Sequence, residues 1–264
     1  MDGSGDGERE ADGGASSPLP VSTYPGGTEP VPPTSRVAGP GRPFIGRGYA
    51  DRAEAGRVLA AEIARSAPLI SPVVIALPRG GVPVAAEIAR HFSAPLVVMP
   101  VAKIGAPGHE ELAIGAVAAG GAQVLNESVL WSLRLAPGEV EALAAQAAAK
   151  VADQLQAYHD AQPPASLVGR SAVVVDDGLA TGASMRAALV AVRRLGPADI
   201  LLAVPVGPPS VLEELSGLAD SCTCPLRPAH MQAVGSWYAD FTQTTNAEVA
   251  ELIAELGPGP TERS

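Results

Sequence analysis

Short apolar runs that alternate with helical patterns constrain this chain most. Val73-Val74-Ile75-Ala76-Leu77 is continuous and apolar, and so are Leu96–Val101, Ala172–Val175 and Ile200–Val206. An unbroken run of this length is the pattern of a strand buried on both faces, which occurs in parallel sheets covered by helices. Amphipathic stretches lie between the runs. Residues 52–65 place Ala53, Val58, Leu59 and Ile63 on or near one face, and Val82–His91, Met185–Leu195 and Pro208–Leu218 also read as helices. Strand-helix alternation predicts an α/β fold, a central parallel sheet flanked by helices with right-handed crossovers. Pro137–His159 reads as a long Ala-rich helix and Leu112–Leu125 as two short strands. Ser221–Pro225 reads as a further short strand. A last helix spans Asn246–Leu256 with Asn246 as its N-cap.

The ends differ from this middle. Residues 1–42 are Gly, Pro, Ser, Asp and Glu with almost no bulky apolar side chains, so they cannot bury enough surface to offset chain entropy. The expected organisation is a disordered tail over 1–42, one domain over 43–258 and a disordered end over 259–264. The formal net charge of −10 argues against a broad nucleic-acid or anionic-membrane surface, while leaving room for a local basic pocket. No apolar stretch reaches the roughly 20 residues that cross a bilayer, and the acidic, Gly-rich N-terminus is no signal peptide. Cys222 and Cys224 share one face if they lie on a strand, where an i,i+2 disulfide is awkward, so they read as half-buried core thiols. Sparse cysteine fits a reducing cytoplasm.

Chemistry concentrates in Val173-Val174-Val175-Asp176-Asp177-Gly178-Leu179-Ala180-Thr181-Gly182-Ala183-Ser184. Two carboxylates follow a buried strand at its C-terminal end, where open α/β sheets bind ligands. A loop of small residues then enters a helix. Gly178 and Gly182 allow a tight turn with exposed amides, and with the helix N-terminus these form an anion cradle. Thr181 and Ser184 add hydroxyls. Carboxylates repel phosphate, so Asp176 and Asp177 must face sugar hydroxyls or a metal, and a phosphorylated sugar satisfies both halves. No Walker-type loop and no Rossmann glycine fingerprint occurs at this turn. A serine hydrolase lacks its G-x-S-x-G elbow, and the four histidines form no ligand cluster.

This stretch resembles the binding motif of the type I phosphoribosyltransferases. The resemblance implies that Asp176 and Asp177 contact ribose hydroxyls. It also implies that Ala180, Thr181, Gly182, Ala183 and Ser184 hold the 5-phosphate of phosphoribosyl diphosphate, with Gly178 in the turn. Pro78-Arg79-Gly80-Gly81 resembles the family's pyrophosphate loop, where the amides of Gly80 and Gly81 and the Arg79 guanidinium suit a diphosphate. Lys103–Glu111, read as a polar loop, resembles the mobile catalytic loop, with Lys103 the cation for the departing diphosphate. Family members often carry an arginine just before that lysine, and here the position is Ala102. His109 could donate a proton or be incidental, and Glu110 and Glu111 read as solvated or capping.

Trp237, Tyr238 and Phe241 cluster in a chain that is only 3% aromatic. They suit stacking on a base or a small satellite core equally well. The resemblance covers roughly Phe44–Leu256. It implies a type I phosphoribosyltransferase-like fold with a small hood and flexible-loop region. It further implies Mg²⁺ as cofactor, a small-molecule acceptor that is a nitrogenous base or similar, no nucleic-acid or membrane partner, and a homodimer, as is common in the family. The expected activity is phosphoribosyl transfer, with Lys103, Arg79 and Asp177 acting in catalysis. A non-catalytic sensor of phosphoribosyl diphosphate is the alternative, and Ala102 favours it.

Overall fold

The apolar runs form the centre of a six-stranded, wholly parallel sheet. The computed structural model describes residues 48–66 and 68–257, together with the backbone of residues 21–24 and 36–37. In the sheet, β2 is Arg36–Val37, β3 is Val73–Ala76, β4 is Leu96–Val98, β8 is Ser171–Val175, β9 is Asp199–Ala203 and β10 is Ser221–Thr223. Their order across it is β2-β10-β9-β8-β3-β4. Every residue of β3, β4 and β8 is buried, as expected of strands covered on both faces. The two short segments fall inside the stretch expected to be a disordered tail. The rest of 1–42, and all of 259–264, lie outside the described residues.

Helices α1 (Arg52–Ser66), α2 (Gly81–Phe92) and α7 (Asn246–Leu256) cover one face of the sheet, where Leu59, Ile63, Ile88 and Val249 pack on Val74, Val98 and Val173. Helices α5 (Ala183–Arg194) and α6 (Pro209–Leu215) cover the other, with Met185, Leu189 and Leu215 against Ile75, Val174 and Leu202, while α4 (Pro137–Ala157) packs on the strands Val101–Ala106 and His109–Ala118. From β3 the chain steps outward through α2 to β4. From β8 it steps the opposite way through α5 to β9 and through α6 to β10. The sheet therefore reverses its winding between β3 and β8, which pair directly, Ala76 beside Val175. That switch point is where a parallel sheet leaves a crevice at its strand C-termini.

A second, four-stranded sheet stands beside the first. Its strands are β1 (Val21–Tyr24), β5 (Val101–Ala106), β6 (His109–Ala118) and β7 (Ala122–Asn126), in the order β1-β7-β6-β5, and helix α3 (Glu127–Leu133) follows. This corrects the reading of Lys103–Glu111 as a loop: β5 and β6 form an antiparallel hairpin turning at Pro107-Gly108, with Gly108 at φ +70°. The physical reason is a period-two pattern in small residues, with Ala102, Ile104 and Ala106 buried and Lys103 exposed between them. The apolar run Leu96–Val101 is likewise divided at Met99-Pro100 between β4 and β5.

Two further differences concern helix ends. Helix α3 has no counterpart among the expected elements, although Asn126 caps it by accepting from the amide of Val129 at 3.3 Å. The N-cap of α7 is Thr245 rather than Asn246. Thr245 Oγ1 accepts from the Glu248 amide at 3.2 Å, and Glu248 Oε2 accepts from the Thr245 amide at 2.6 Å, a reciprocal capping box. Cys222 and Cys224 are free, unbridged thiols and both are buried. Among the described residues no helix is long and apolar enough to cross a membrane.

Candidate functional site

The site is built at the C-terminal ends of β3 and β8. The amide of Leu77 donates to Val175 O at 2.9 Å, which carries the pairing one residue past the strands and sets the two following loops side by side. The glycine pair makes this possible. A Cβ at Gly81 would lie 2.8 Å from Val175 O and 3.0 Å from Asp176 Cα, and one at Gly80 would lie 2.8 Å from Asp177 Cγ and closer still to Oδ2. Gly80 and Gly81 are thus needed for close approach, and the Gly81 amide, expected to face a diphosphate, instead donates to Leu77 O at 3.0 Å. The Pro78–Arg79 peptide bond is cis, and Arg79 is half-buried at this turn.

On the β8 side, Asp176 and Asp177 are both half-buried, and the Asp177 amide donates to Asp176 Oδ1 at 2.9 Å. Gly178 packs so closely that a Cβ would meet Val234 Cγ1 at 2.6 Å. Gly182 takes φ +72° to start α5, and a Cβ there would press on Val211 Cγ1 at 2.7 Å. The first intrahelical bond runs from the Arg186 amide to Gly182 O at 2.8 Å. Helix geometry leaves the amides before it without intrahelical acceptors, which is the arrangement an anion cradle requires. Ala180 and Thr181 are exposed beside it, Gly182 and Ala183 are buried, and Ser184 is half-buried.

Burial, then the charge of Asp177, pushes the Asp176 carboxyl well above the usual carboxylate range. The Asp177 amide, Lys103 and Arg52 oppose the shift without cancelling it. Burial also raises Asp177, while its hydrogen bond to Arg52 pulls it back. Lys103 is exposed on β5, paired across the hairpin with Ala116, and its charge reaches Asp176. The structure therefore gathers Gly80, Gly81, Asp176 and Asp177 beside the start of α5, with Arg79 in the same turn as the glycines and Lys103 on a strand of the second sheet. The side chains of His109, Glu110 and Glu111 lie outside the described residues. Among the described residues, no three His, Cys, Asp or Glu side chains cluster to hold a metal.

Two residues at the site, Arg52 and Tyr49, escape the sequence reading. Arg52 Nε donates to Asp177 Oδ2 at 2.8 Å, and its Nη1 donates to Thr242 O at 2.8 Å. The Tyr238 hydroxyl donates to Asp177 O at 2.6 Å, and Tyr49 packs on Tyr238 with ring centroids 5.6 Å apart. One signal for Arg52 exists: a cation on the first residue of a helix sits at the unfavourable end of the dipole and needs an outside reason. The aromatic cluster serves as a satellite core with Tyr49, Val206 and Leu226, and it also walls the acidic pair.

A family model described as the phosphoribosyl transferase domain matches residues 49–237. A Mycobacterium tuberculosis H37Rv protein, whose name gives it provisionally as a phosphoribosyl transferase, is 39% identical over 205 residues. That match covers 78% of this chain and 46% of the relative. A second strain's copy matches equally, so the chain spans about half the length of the curated relatives it matches. The crystal structure of TT1426 from Thermus thermophilus is similar at a TM-score of 0.68 and 40% identity, over 80% of this chain and 100% of that one.

Proposed function

The chain belongs to the phosphoribosyl transferase domain family, and from that premise we propose that it moves a 5-phosphoribosyl group from phosphoribosyl diphosphate to a nitrogenous base or similar acceptor, with release of pyrophosphate. The observation that carries the reading is the contact between two loops at the switch point. One carries the acidic pair and the glycine turn into α5; the other brings Gly80 and Gly81 against that pair, with Arg79 in the same turn. A ligand with a phosphate, adjacent hydroxyls and a diphosphate matches the three parts in order.

In this reading Ala180–Ser184 hold the 5-phosphate through backbone amides and the Thr181 and Ser184 hydroxyls. Asp176 and Asp177 accept from the ribose hydroxyls. As the bond from the anomeric carbon to the diphosphate oxygen breaks, its electron pair leaves with the diphosphate and positive charge grows on the sugar. The acidic pair stabilises that charge. The Arg79 guanidinium and the Lys103 ammonium stabilise the leaving group. A lone pair of the acceptor nitrogen then closes the new bond to the anomeric carbon, and the proton that this nitrogen carried is released to solvent.

Mg²⁺ is the expected cofactor. The hard carboxylate oxygens here suit it, yet no cluster of three ligating side chains occurs among the described residues, and Asp177 Oδ2 is engaged by Arg52. The site therefore fits an ion carried on the ligand's own phosphate oxygens, as Mg²⁺ prefers, and no residue is assigned as its ligand. When bound it would screen the diphosphate charge. A cytoplasmic, homodimeric protein completes the proposal.

Ala102, buried before Lys103, leaves the hairpin with one cation where relatives of this kind often have two, and this observation supports the second reading, a phosphoribosyl-diphosphate sensor. Pyrophosphate release, measured with phosphoribosyl diphosphate, Mg²⁺ and a panel of bases, tests the first. Release that disappears in the Asp176→Asn, Asp177→Asn double variant supports transfer. Binding without release from any base would leave the sensor.

A further inference from the structure

Arg52 takes no part in the roles above, yet it is tightly held. It opens α1, where the helix dipole disfavours a cation, and its side chain is only 11% exposed. Partners from distant parts of the chain account for this. Nε donates to Asp177 Oδ2 at 2.8 Å and Nη1 to Thr242 O at 2.8 Å, while the guanidinium carbon stands 3.9 Å from the centroid of the Phe241 ring. The same C-terminal segment sends the Tyr238 hydroxyl to Asp177 O at 2.6 Å. Asp177 is thus gripped at its side chain by Arg52 and at its backbone by Tyr238. Arg52 and the Tyr238–Phe241 segment are in turn joined by stacking on Phe241.

We infer that Arg52 is a positioning residue: it fixes the orientation of the Asp177 carboxylate toward the ribose and ties the Tyr238–Thr242 segment to that carboxylate. The inference rests on the phosphoribosyl-diphosphate reading. It also bears on the acceptor. The guanidinium covers one face of Phe241, so with Arg52 in place that face is closed to a flat ring.

The test is a double-mutant cycle on the full chain, with wild type, Arg52→Met, Asp177→Asn and the double variant titrated with phosphoribosyl diphosphate and Mg²⁺ by calorimetry. Because a hydrogen bond to a charged group is at stake, Arg52→Met is expected to weaken binding about 10-fold or more in wild type. It should change binding less than about 3-fold once Asp177 is Asn, because the carboxylate charge it acts through is gone. Arg52→Lys, which keeps the charge, should recover part of the loss and replaces Arg52→Met if circular dichroism shows that variant unfolded. Equal losses in both backgrounds, or none in wild type, would overturn the inference. If wild type binds no phosphoribosyl diphosphate, the functional reading falls. The same four proteins in urea then decide the remaining point: coupled stability losses support the Arg52–Asp177 link, and additive ones overturn it.

Discussion

Replacing Gly80 by alanine sets two effects of opposite sign against each other. Gly80 has φ −60° and ψ −34°, which alanine adopts without strain. On backbone grounds alone the change should stabilise the protein by about 0.4–1 kcal/mol, through the unfolded chain. The new Cβ, however, would lie 2.8 Å from Asp177 Cγ and nearer to Oδ2, the oxygen bound to Arg52 at 2.8 Å. Asp177 would have to turn away and that bond would break. Both side chains are largely withdrawn from water, 11% and 15% exposed, so a charge-assisted bond here is worth about 1.5–3 kcal/mol. The clash wins, for a net loss of about 1–2 kcal/mol. Urea unfolding of wild type, Gly80→Ala, Asp177→Ala and the double variant measures it. With Asp177 shortened the obstacle is gone, and Gly80→Ala should become neutral or stabilising. A stabilised Gly80→Ala single variant, or a loss unchanged by Asp177→Ala, would refute the close-contact argument.

Further outcomes are expected. Asp176 titrates well above the carboxylate range in the folded protein, so the native state holds its proton longer than the unfolded chain does, and stability is lost as pH rises from the ordinary carboxylate range through the raised value. Asp176→Asn should therefore gain stability over wild type as pH rises through that window, while losing ligand affinity; thermal melts from acid to neutral pH read the first. Lys103→Ala should lower the rate of pyrophosphate release by about 10²–10³-fold with little change in ligand affinity, and equal losses in both would make Lys103 a simple anchor. Burial pushes the thiols of Cys222 and Cys224 up to about 11 and about 12. Alkylation of the native protein at mildly alkaline pH should consequently be far slower than in urea, as followed by mass spectrometry.

Much of this architecture is legible in the residues. Val73–Ala76 and Ala172–Val175 are buried along their whole length, and an unbroken apolar run is readable because burial on both faces favours apolar side chains at successive positions. The acidic pair and its glycine loop are legible for a related reason: a strand end, a tight turn and a helix start are contiguous in sequence. The hairpin is hidden because Gly105, Pro107 and Gly108 carry a turn signal, while the alternating strand residues Ala102, Ile104 and Ala106 are mostly small. Arg52 and Asp177 are 125 positions apart, and no local pattern joins an arginine at one helix start to a carboxylate at a distant strand end. The aromatic cluster is visible as composition, but its place against Asp177 depends on the bonding of Tyr49 N to Trp237 O at 2.8 Å, a tertiary pairing.

Calorimetric titration of phosphoribosyl diphosphate with Mg²⁺ into the wild-type protein tests the central claim most directly. The account predicts saturable binding to one site per chain, lost in the Asp176→Asn, Asp177→Asn double variant while its circular dichroism stays native. Absence of heat at millimolar ligand, or undiminished affinity in that folded double variant, would contradict it.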